Sequence, residues 1–405
     1  MQILVFNGGS SSLTFKILRH QGRQDPAVVL KGKAYRVGVE GAEGASIEFD
    51  FQGARYLRKV PIPDHVTAAK LAIEFIRKKN ISVNCIGNRF VHGGTYFQKS
   101  AWINSAHLRQ LEKCLPFAPI HNPISLSVIR TARRLLKKVP QYVVFDSAFH
   151  ASLPDYVYSY PIPLKWRKKY QYRKYGFHGL SYSYVTWKTA ALLDKDRKKL
   201  NMIACHLGTG GSSVTAVQNG RSLETSMGFS PLCGLMMSTR CGDLDPFLIL
   251  YLLRHSAQSP ETLIKILNKK SGLLGVSGYS ADIRDIIKRI KNKKANARVK
   301  LALDMYIKQL KRYIGSYVTL FPGPIDALVF TDDVGIKVPE IRQTVCRSLN
   351  WAGIDLSVLK NRKAPQDHHA FIEKERNAVK IITMPTDEES VLFEEGARLI
   401  GRKGP

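Results

Sequence analysis

A chain of 405 residues, 44% hydrophobic and 23% charged, holds enough apolar material for two domains with cores of their own. No apolar run approaches the ~20 residues of a membrane span, and the start MQILVFNGGSSS lacks the basic and apolar regions of a secretory signal. The net charge of +30 is open to three readings: a solvated basic surface, attraction of anionic substrates, or nucleic-acid binding. No zinc finger, RNP motif or helix-turn-helix supports the last, so no nucleic-acid partner is expected. The cysteines, Cys85, Cys114, Cys205, Cys233, Cys241 and Cys346, are scattered without zinc spacing, which predicts a reduced, cytoplasmic protein with no membrane partner.

In chain order, residues 3–6 read as a strand, and ILVFNGGSSSLTFKIL as a strand, a Gly/Ser loop and a second strand. Helical spacing covers 67–79 and 122–138; 142–145 is a strand and 182–193 a helix. Residues 202–206 open MIACHLGTGGSSVTAV, which repeats the strand–loop–strand plan of the N-terminus. A helix over 299–320 is closed by Pro322, and 327–330 is again a strand. The alternation makes the class α/β. The repeated hairpin is either chance or the trace of an internal duplication. Under the second reading a domain boundary falls after Phe149: residues 1–150 form one domain, with the helix 388–405 packing back on it, and 151–387 form the other.

A loop of Gly and Ser brings backbone N–H groups close to an anion because no Cβ blocks the approach. The loop from Asn7 to Ser12 has that composition, without the GK[ST] of a Walker A motif. An ordinary hairpin turn is the alternative. Asp146 follows Tyr-Val-Val-Phe at a strand end, where α/β proteins bind ligands, or else it caps a turn. His178 lies in Tyr-Gly-Phe-His-Gly, placed for a ligand or for a structural hydrogen bond. Arg89 and His92 share Arg-Phe-Val-His-Gly-Gly. Arg240, amid small residues, is free to aim its planar fork at an anion, or to pair with Asp243 or Asp245 on the surface.

Together FNGGSSSL, GNRFVHGG, APIHNP, FDSAFH, YGFHGLS, HLGTGG, TSMGFSPLCGLMMSTRCGDLDP, SGLLGVSG and PTDEE, in this order, resemble the acetate kinases of the sugar kinase and actin superfamily. The resemblance implies two duplicated ribonuclease-H-like, actin-type domains facing each other across a cleft, and a homodimer. It implies phosphoryl transfer between ATP and acetate, giving acetyl phosphate and ADP, with Mg2+ or Mn2+. By the same resemblance Asn7 and Glu388 stand at the metal, and Ser10, Ser12 and Thr14 at the first phosphate loop. Arg89, Asp146, His178 and Arg240 are the catalytic set, with His121 close by. Val91, Ile120, Phe177 and Pro231 match the pocket for the methyl group of the acid. His206, Leu207, Gly208, Thr209 and Gly210 match the second phosphate loop. Asp282, Ile283 and Arg284 match the adenosine contact, with Asp333 and Gly335 in a neighbouring loop.

Four departures fall mostly at the nucleotide end. The family loop Ala-Gly-Ile-Gly-Glu-Asn is here Asp332-Asp333-Val334-Gly335-Ile336-Lys337. A charge on Asp333 about 4 Å from bound phosphate costs roughly 1–4 kcal/mol, offset in part by Lys337. The lysine after the serines is Thr14, leaving Lys16 further along the strand; Thr209 replaces Asn; and Tyr182 and Cys233 replace His and Glu. The alternatives are therefore the same scaffold with another phosphoryl donor, such as pyrophosphate, or a non-catalytic paralogue that binds an anionic partner.

Overall fold

The computed structural model describes residues 1–21, 24–39 and 44–401. The chain divides into two compact units, Met1–Ala151 joined by the segment from Asp387 onward, and Ser152–Thr386.

The first unit is built on eight strands: β1 (Gln2–Gly8), β2 (Ser12–Gln21), β3 (Gln24–Tyr35), β4 (Ser46–Phe51), β5 (Ala54–Lys59), β6 (Cys85–Phe90), β7 (Ala101–Trp102) and β8 (Gln141–Phe145). Their order is β5-β4-β3-β2-β1-β6-β8-β7. Ile3, Leu4, Val5 and Phe6 are all buried, as a central strand covered on both faces requires. β1 runs antiparallel to β2 and parallel to β6, and β6 parallel to β8. The helix His65–Lys78 starts at Asp64, whose carboxylate accepts from the Thr67 N–H at 2.7 Å. It buries Ala68, Ala69, Ala72, Ile73 and Ile76 at helical spacing.

The C-terminal helix Glu388–Gly401 belongs to this unit, and residues 402–405 of the expected helix lie outside the described residues. Tyr142 anchors it. The Tyr142 hydroxyl donates to the Leu392 carbonyl at 2.6 Å, and its ring occupies the space a Cβ would need at Gly87 and at Gly396.

The second unit has β9 (Met202–Leu207), β10 (Ser212–Gln218), β11 (Arg221–Thr225), β12 (Ala327–Thr331), β13 (Ala370–Phe371) and β14 (Lys380–Thr383), in the order β11-β10-β9-β12-β14-β13. β9 pairs antiparallel with β10 and parallel with β12, which is parallel to β14. The run β11-β10-β9-β12-β14 thus repeats the plan of β3-β2-β1-β6-β8. The resemblance between the two Gly-rich hairpins is a duplication of topology. Its core gathers Ile203, Cys205, Leu328 and Phe330 from the sheet and Tyr306, Leu310 and Ile314 from the helix Ala297–Val318.

One local expectation is corrected. Asp332–Lys337, read from the sequence as a loop, is a short helix. Two carboxylates in its first turn suit the positive end of a helix. The buried Arg342 donates to the carbonyls of Gly335 (2.8 Å) and Ile336 (2.5 Å), which closes its far end.

Candidate active site

In the first unit the turn between β1 and β2 is pinned from three sides. Gly9 N–H donates to the Ser12 carbonyl (2.9 Å), Val37 N–H to the Ser11 carbonyl (2.9 Å), and the His65 ring bonds to the Gly9 carbonyl (2.8 Å). Ser10 is left exposed at the tip.

Behind the turn lies a charged cluster. Arg89 on β6 meets Asp146, the first residue beyond β8, through two parallel bonds: Nε to Oδ1 at 2.9 Å and Nη2 to Oδ2 at 2.6 Å. Its third nitrogen, Nη1, donates to the Asn7 Oδ1 at 2.9 Å and lies 3.2 Å from Glu388. Asn7 Nδ2 in turn reaches Glu388 (2.9 Å) and Glu389 (2.8 Å). Burial opposes the Arg89 charge, but Asp146, Glu388 and Glu389 outweigh it and raise its pKa. Thr14 sits opposite Asn7 in the strand register. Lys16 is committed to Asp387 (2.8 Å) and Glu389 (3.1 Å), which hold its pKa up against burial.

The cluster contains more carboxylates (Asp146, Asp387, Glu388, Glu389) than cations (Arg89, Lys16). No three His, Cys, Asp or Glu side chains form a ready cage among the described residues. Asn7 and Glu388 nevertheless fit a hard divalent cation of the magnesium type, which uses one or two protein oxygens and takes the rest from phosphate and water.

Val91 is buried, and Ile120 is half-exposed at the start of the helix His121–Leu135, whose first residue is His121. Asn122 locks these segments together. It accepts from the His92 N–H (3.1 Å) and donates to the carbonyls of His92 (3.0 Å) and Cys114 (2.7 Å). The sequence reading did not single out this residue.

In the second unit His178 has φ 60, the left-handed region, immediately before the helix Gly179–Leu192. Its Nδ1 bonds to Ser213 Oγ at 2.8 Å, and Ser213 also meets the Tyr182 hydroxyl at 2.5 Å. Burial pushes the Tyr182 pKa up, so this hydroxyl stays protonated. The substituted Tyr182 thus helps to position the serine beside His178. The His178 ring stacks on His206, centroids 4.0 Å apart. His206 also bonds to Ser181 (2.9 Å) and Asp332 (3.0 Å).

The loop after His206 is closed by the Gly208 N–H on the Gly211 carbonyl (3.1 Å) and the Ser212 hydroxyl on the Gly208 carbonyl (3.1 Å), and it leaves Thr209 and Gly210 exposed. A Cβ on Gly211 would sit 3.1 Å from Arg240 Nη1 and 3.3 Å from His178 Nε2, so these two side chains converge on the loop at a position without a side chain of its own. The third glycine of HLGTGG signalled this position, although the sequence reading stopped at Gly210.

Arg240 forms no ion pair among the described residues; its guanidinium touches the Pro231 carbonyl (3.3 Å) and the Met237 sulfur (3.9 Å). Burial lowers its pKa. The surface-pair alternative is ruled out, because Asp243 is taken by Arg312 (2.8 Å) and Tyr313 (2.5 Å) and Asp245 caps the helix Pro246–His255. Phe177 is fully buried beside His178 in sequence. Cys233 hydrogen-bonds to Asp243 (3.3 Å), and burial together with Asp243 pushes its thiol up to about 12.

At the expected nucleotide end, Asp282 caps the helix Ile283–Lys291 and holds Arg284 at 2.6 Å. Arg284 lies 3.3 Å from Asp333, which also pairs with Lys337 at 2.6 Å. The charge of Asp333 is therefore answered within the chain. Ile283 is buried in the core, and Gly335 is buried against Phe330, Cys205 and Leu207.

The model of the Acetokinase family matches residues 2–394. An acetate kinase of Shouchella clausii is 38% identical over 98% of this chain and 99% of its own length. An acetate kinase of Clostridium botulinum (strain Langeland) is 39% identical over 98% of each. Among solved structures, acetate kinase from Entamoeba histolytica is 41% identical with a TM-score of 0.89, covering 99% of this chain and 100% of that one. A propionate kinase from Francisella tularensis is 32% identical with a TM-score of 0.86, covering 97% and 98%.

Proposed function

The chain belongs to the acetokinase family, and from that premise we propose that it is a phosphotransferase moving the terminal phosphoryl group of ATP to acetate, or another short-chain fatty acid, and back. The observation that carries this reading is Arg240: a half-buried guanidinium with no carboxylate partner among the described residues, converging with His178 on a glycine loop.

An acetate oxygen is already anionic and needs no strong base. It attacks the terminal phosphorus, the new O–P bond forms, and the bond to the bridging oxygen breaks with ADP as leaving group. The difficulty is that two anions must meet, so catalysis is positioning and charge compensation. Arg240 and His178 donate to the phosphoryl oxygens, with bonds that strengthen as that group flattens. Arg89, oriented by Asp146, takes the acid carboxylate, with Val91, Ile120, Phe177 and Pro231 around its apolar end and His121 nearby. Ser10, Ser12 and Thr14 serve the first phosphate loop; His206, Leu207, Gly208, Thr209 and Gly210 serve the second. Asp282, Ile283, Arg284, Asp333 and Gly335 form the adenosine side. Asn7 and Glu388 would hold Mg2+, which supplies charge neutralisation on the donor phosphates. On this assignment residues 1–150, with the C-terminal helix, carry the first phosphate loop and part of the acyl site, and 151–387 carry the nucleotide side and the dimer contacts.

A homodimer is part of the proposal. The helix Pro246–His255 buries none of its residues and exposes Phe247, Leu248, Leu250 and Tyr251, an apolar face of the kind oligomers cover. The six cysteines stand as free thiols, in keeping with a reducing cytoplasm. No helix among the described residues is long and apolar enough to cross a membrane.

A second reading, pyrophosphate as donor, is favoured by the Asp282–Arg284–Asp333–Lys337 network, which commits the charged groups of the adenosine side to one another. The test incubates protein and Mg2+ with acetate or propionate and with ATP or pyrophosphate, trapping acyl phosphate as hydroxamate. Product with ATP supports the main reading and product with pyrophosphate alone the second. No product from folded protein overturns both.

A further inference from the structure

The two acidic residues that open the helix Asp332–Lys337 are not equivalent. Asp333 faces Arg284 and Lys337, whereas Asp332 has only His206 as an ion-pair partner among the described residues. The backbone at Asp332 has φ 65, a left-handed conformation that short polar residues tolerate best. This bend sends the carboxylate across the second glycine loop, where Asp332 Oδ2 fills the space a Cβ on Gly208 would need. Burial works to raise the Asp332 pKa, but the charge and hydrogen bond of His206 outweigh it, so the net shift is downward and the group is anionic at neutral pH.

The loop is therefore electrically lopsided. Arg240 and His178 stand over Gly211 at one side, and an ionised carboxylate stands over Gly208 at the other. Between them Gly210 faces open space. A polyphosphate donor laid along this loop with its transferring phosphoryl at Arg240 brings its leaving-group phosphates toward Asp332.

We infer that Asp332 tunes the affinity of the phosphoryl-donor site: it places a carboxylate, offset only by His206 among the described residues, beside the leaving-group phosphates and weakens the hold on polyanionic donors. The inference rests on the reading of residues 206–210 as the donor-phosphate loop. Its consequence is a donor site whose affinity is set by charge and loosened on purpose, so that the charged product leaves readily.

The test is calorimetric binding of ADP and of pyrophosphate, each with Mg2+, to the full chain at low and high salt, for the parent, Asp332→Asn and Asp332→Ala. Asp332→Asn keeps a polar partner for His206 and removes the charge; Asp332→Ala guards against a misdirected amide. Loss of the charge is expected to tighten binding roughly tenfold at low salt and less at high salt, since a unit charge at about 4 Å is felt strongly in a half-buried site and screened by ions. Tighter binding in either variant supports the role. Unchanged or weaker binding in both overturns it, and is what a purely structural Asp332–His206 contact predicts. Binding by the parent, with its hydroxamate yield, reports separately on whether the loop takes a donor at all.

Discussion

Arg89 and Asp146 meet fork to fork, Nε on Oδ1 and Nη2 on Oδ2, with Asp146 almost fully buried. A bidentate pair fixes the plane of the guanidinium as well as its position. It leaves Nη1 for Asn7 and Glu388. Asp146 on this geometry orients Arg89 and balances its charge, and a general acid is not needed for an acceptor that arrives ionised.

Asp146→Asn keeps the size of the side chain but removes its charge and one acceptor. The expected result is a loss of kcat of about 10²-fold, comparable with removal of a donor to a reacting oxyanion. Arg89→Ala is expected to lose at least as much activity and also stability, about 3 kcal/mol, because Asp146 is left buried without a cation. Hydroxamate kinetics and chemical denaturation measure the two effects. Full activity of Asp146→Asn would show that the pair is structural.

Arg240→Ala should lower kcat by about 10²-fold or more, as loss of an arginine that compensates transition-state charge does. Arg240→Lys restores a charge but not the planar fork and should recover only part of the loss. Activity of the alanine variant within about threefold of the parent would remove Arg240 from the mechanism, since an effect that small falls far below the 10³–10⁵ of transferred arginines.

The two glycine hairpins were legible as hairpins, because a Gly/Ser turn lies between two alternating apolar runs, and β1–β2 and β9–β10 flank them accordingly. Asp146 at the end of β8 was legible because it follows an apolar run. The contact of Asp332 with Gly208 was not: it joins residues far apart in the chain and depends on one left-handed backbone angle that no local pattern announces. Asp333 was legible as a charge but not as a compensated one, because Arg284 reaches it from a separate helix. Arg342 is a further case, since an arginine in the middle of an ordinary helical stretch gives no sign that it is buried.

Arg342 donates to Asn361 Oδ1 (2.7 Å) and Asn361 O (3.0 Å) as well as to two carbonyls at the C-terminal end of the helix Asp332–Lys337. Burial pushes its pKa down to about 10, so it remains charged at neutral pH. Arg342→Met fills similar volume but leaves several buried carbonyl oxygens without donors, at about 1–3 kcal/mol each before relaxation. The expected outcome is a loss of roughly 2–4 kcal/mol in denaturant unfolding, accompanied by a higher KM for the donor, because the helix bearing Asp332 and Asp333 loses its far anchor. An unchanged midpoint with unchanged KM would contradict this role.

Asp333→Gly restores the residue usual in the family and removes the carboxylate that Arg284 and Lys337 share, while Arg284 keeps its pair with Asp282. Removing one negative charge near the adenosine side is expected to raise kcat/KM for ATP about three- to tenfold at low salt, within the range of a partly screened unit charge. If the network governs the nucleotide rather than the phosphates, kcat/KM for pyrophosphate stays within about twofold, since a distant charge is screened over roughly a Debye length. Equal gains with both donors would place the effect at the phosphates instead.

His65 supplies a pH dependence whose sign can be worked out. It is buried, and its ring nitrogen Nε2 lies 2.8 Å from the Gly9 carbonyl, so Nε2 carries the proton and donates. Burial lowers its pKa below 6.5, against the smaller opposing pull of the Gly9 and Ser12 backbone and of Asp64. Below pH 6.5 the unfolded chain therefore binds a proton that the folded chain resists. Stability is full above that pH and falls as the solution is acidified toward the folded-state value, by at most about 1.4 kcal/mol per pH unit for one group. Protonation at the other ring nitrogen leaves the Nε2 bond to the Gly9 carbonyl in place, so the cost of acid is the burial of the new charge beside the β1–β2 turn. His65→Gln retains a donor for the Gly9 carbonyl and cannot titrate. Its Tm should therefore decline less than that of the parent between pH 7 and pH 5. Parallel declines in the two proteins would assign the acid sensitivity to other groups.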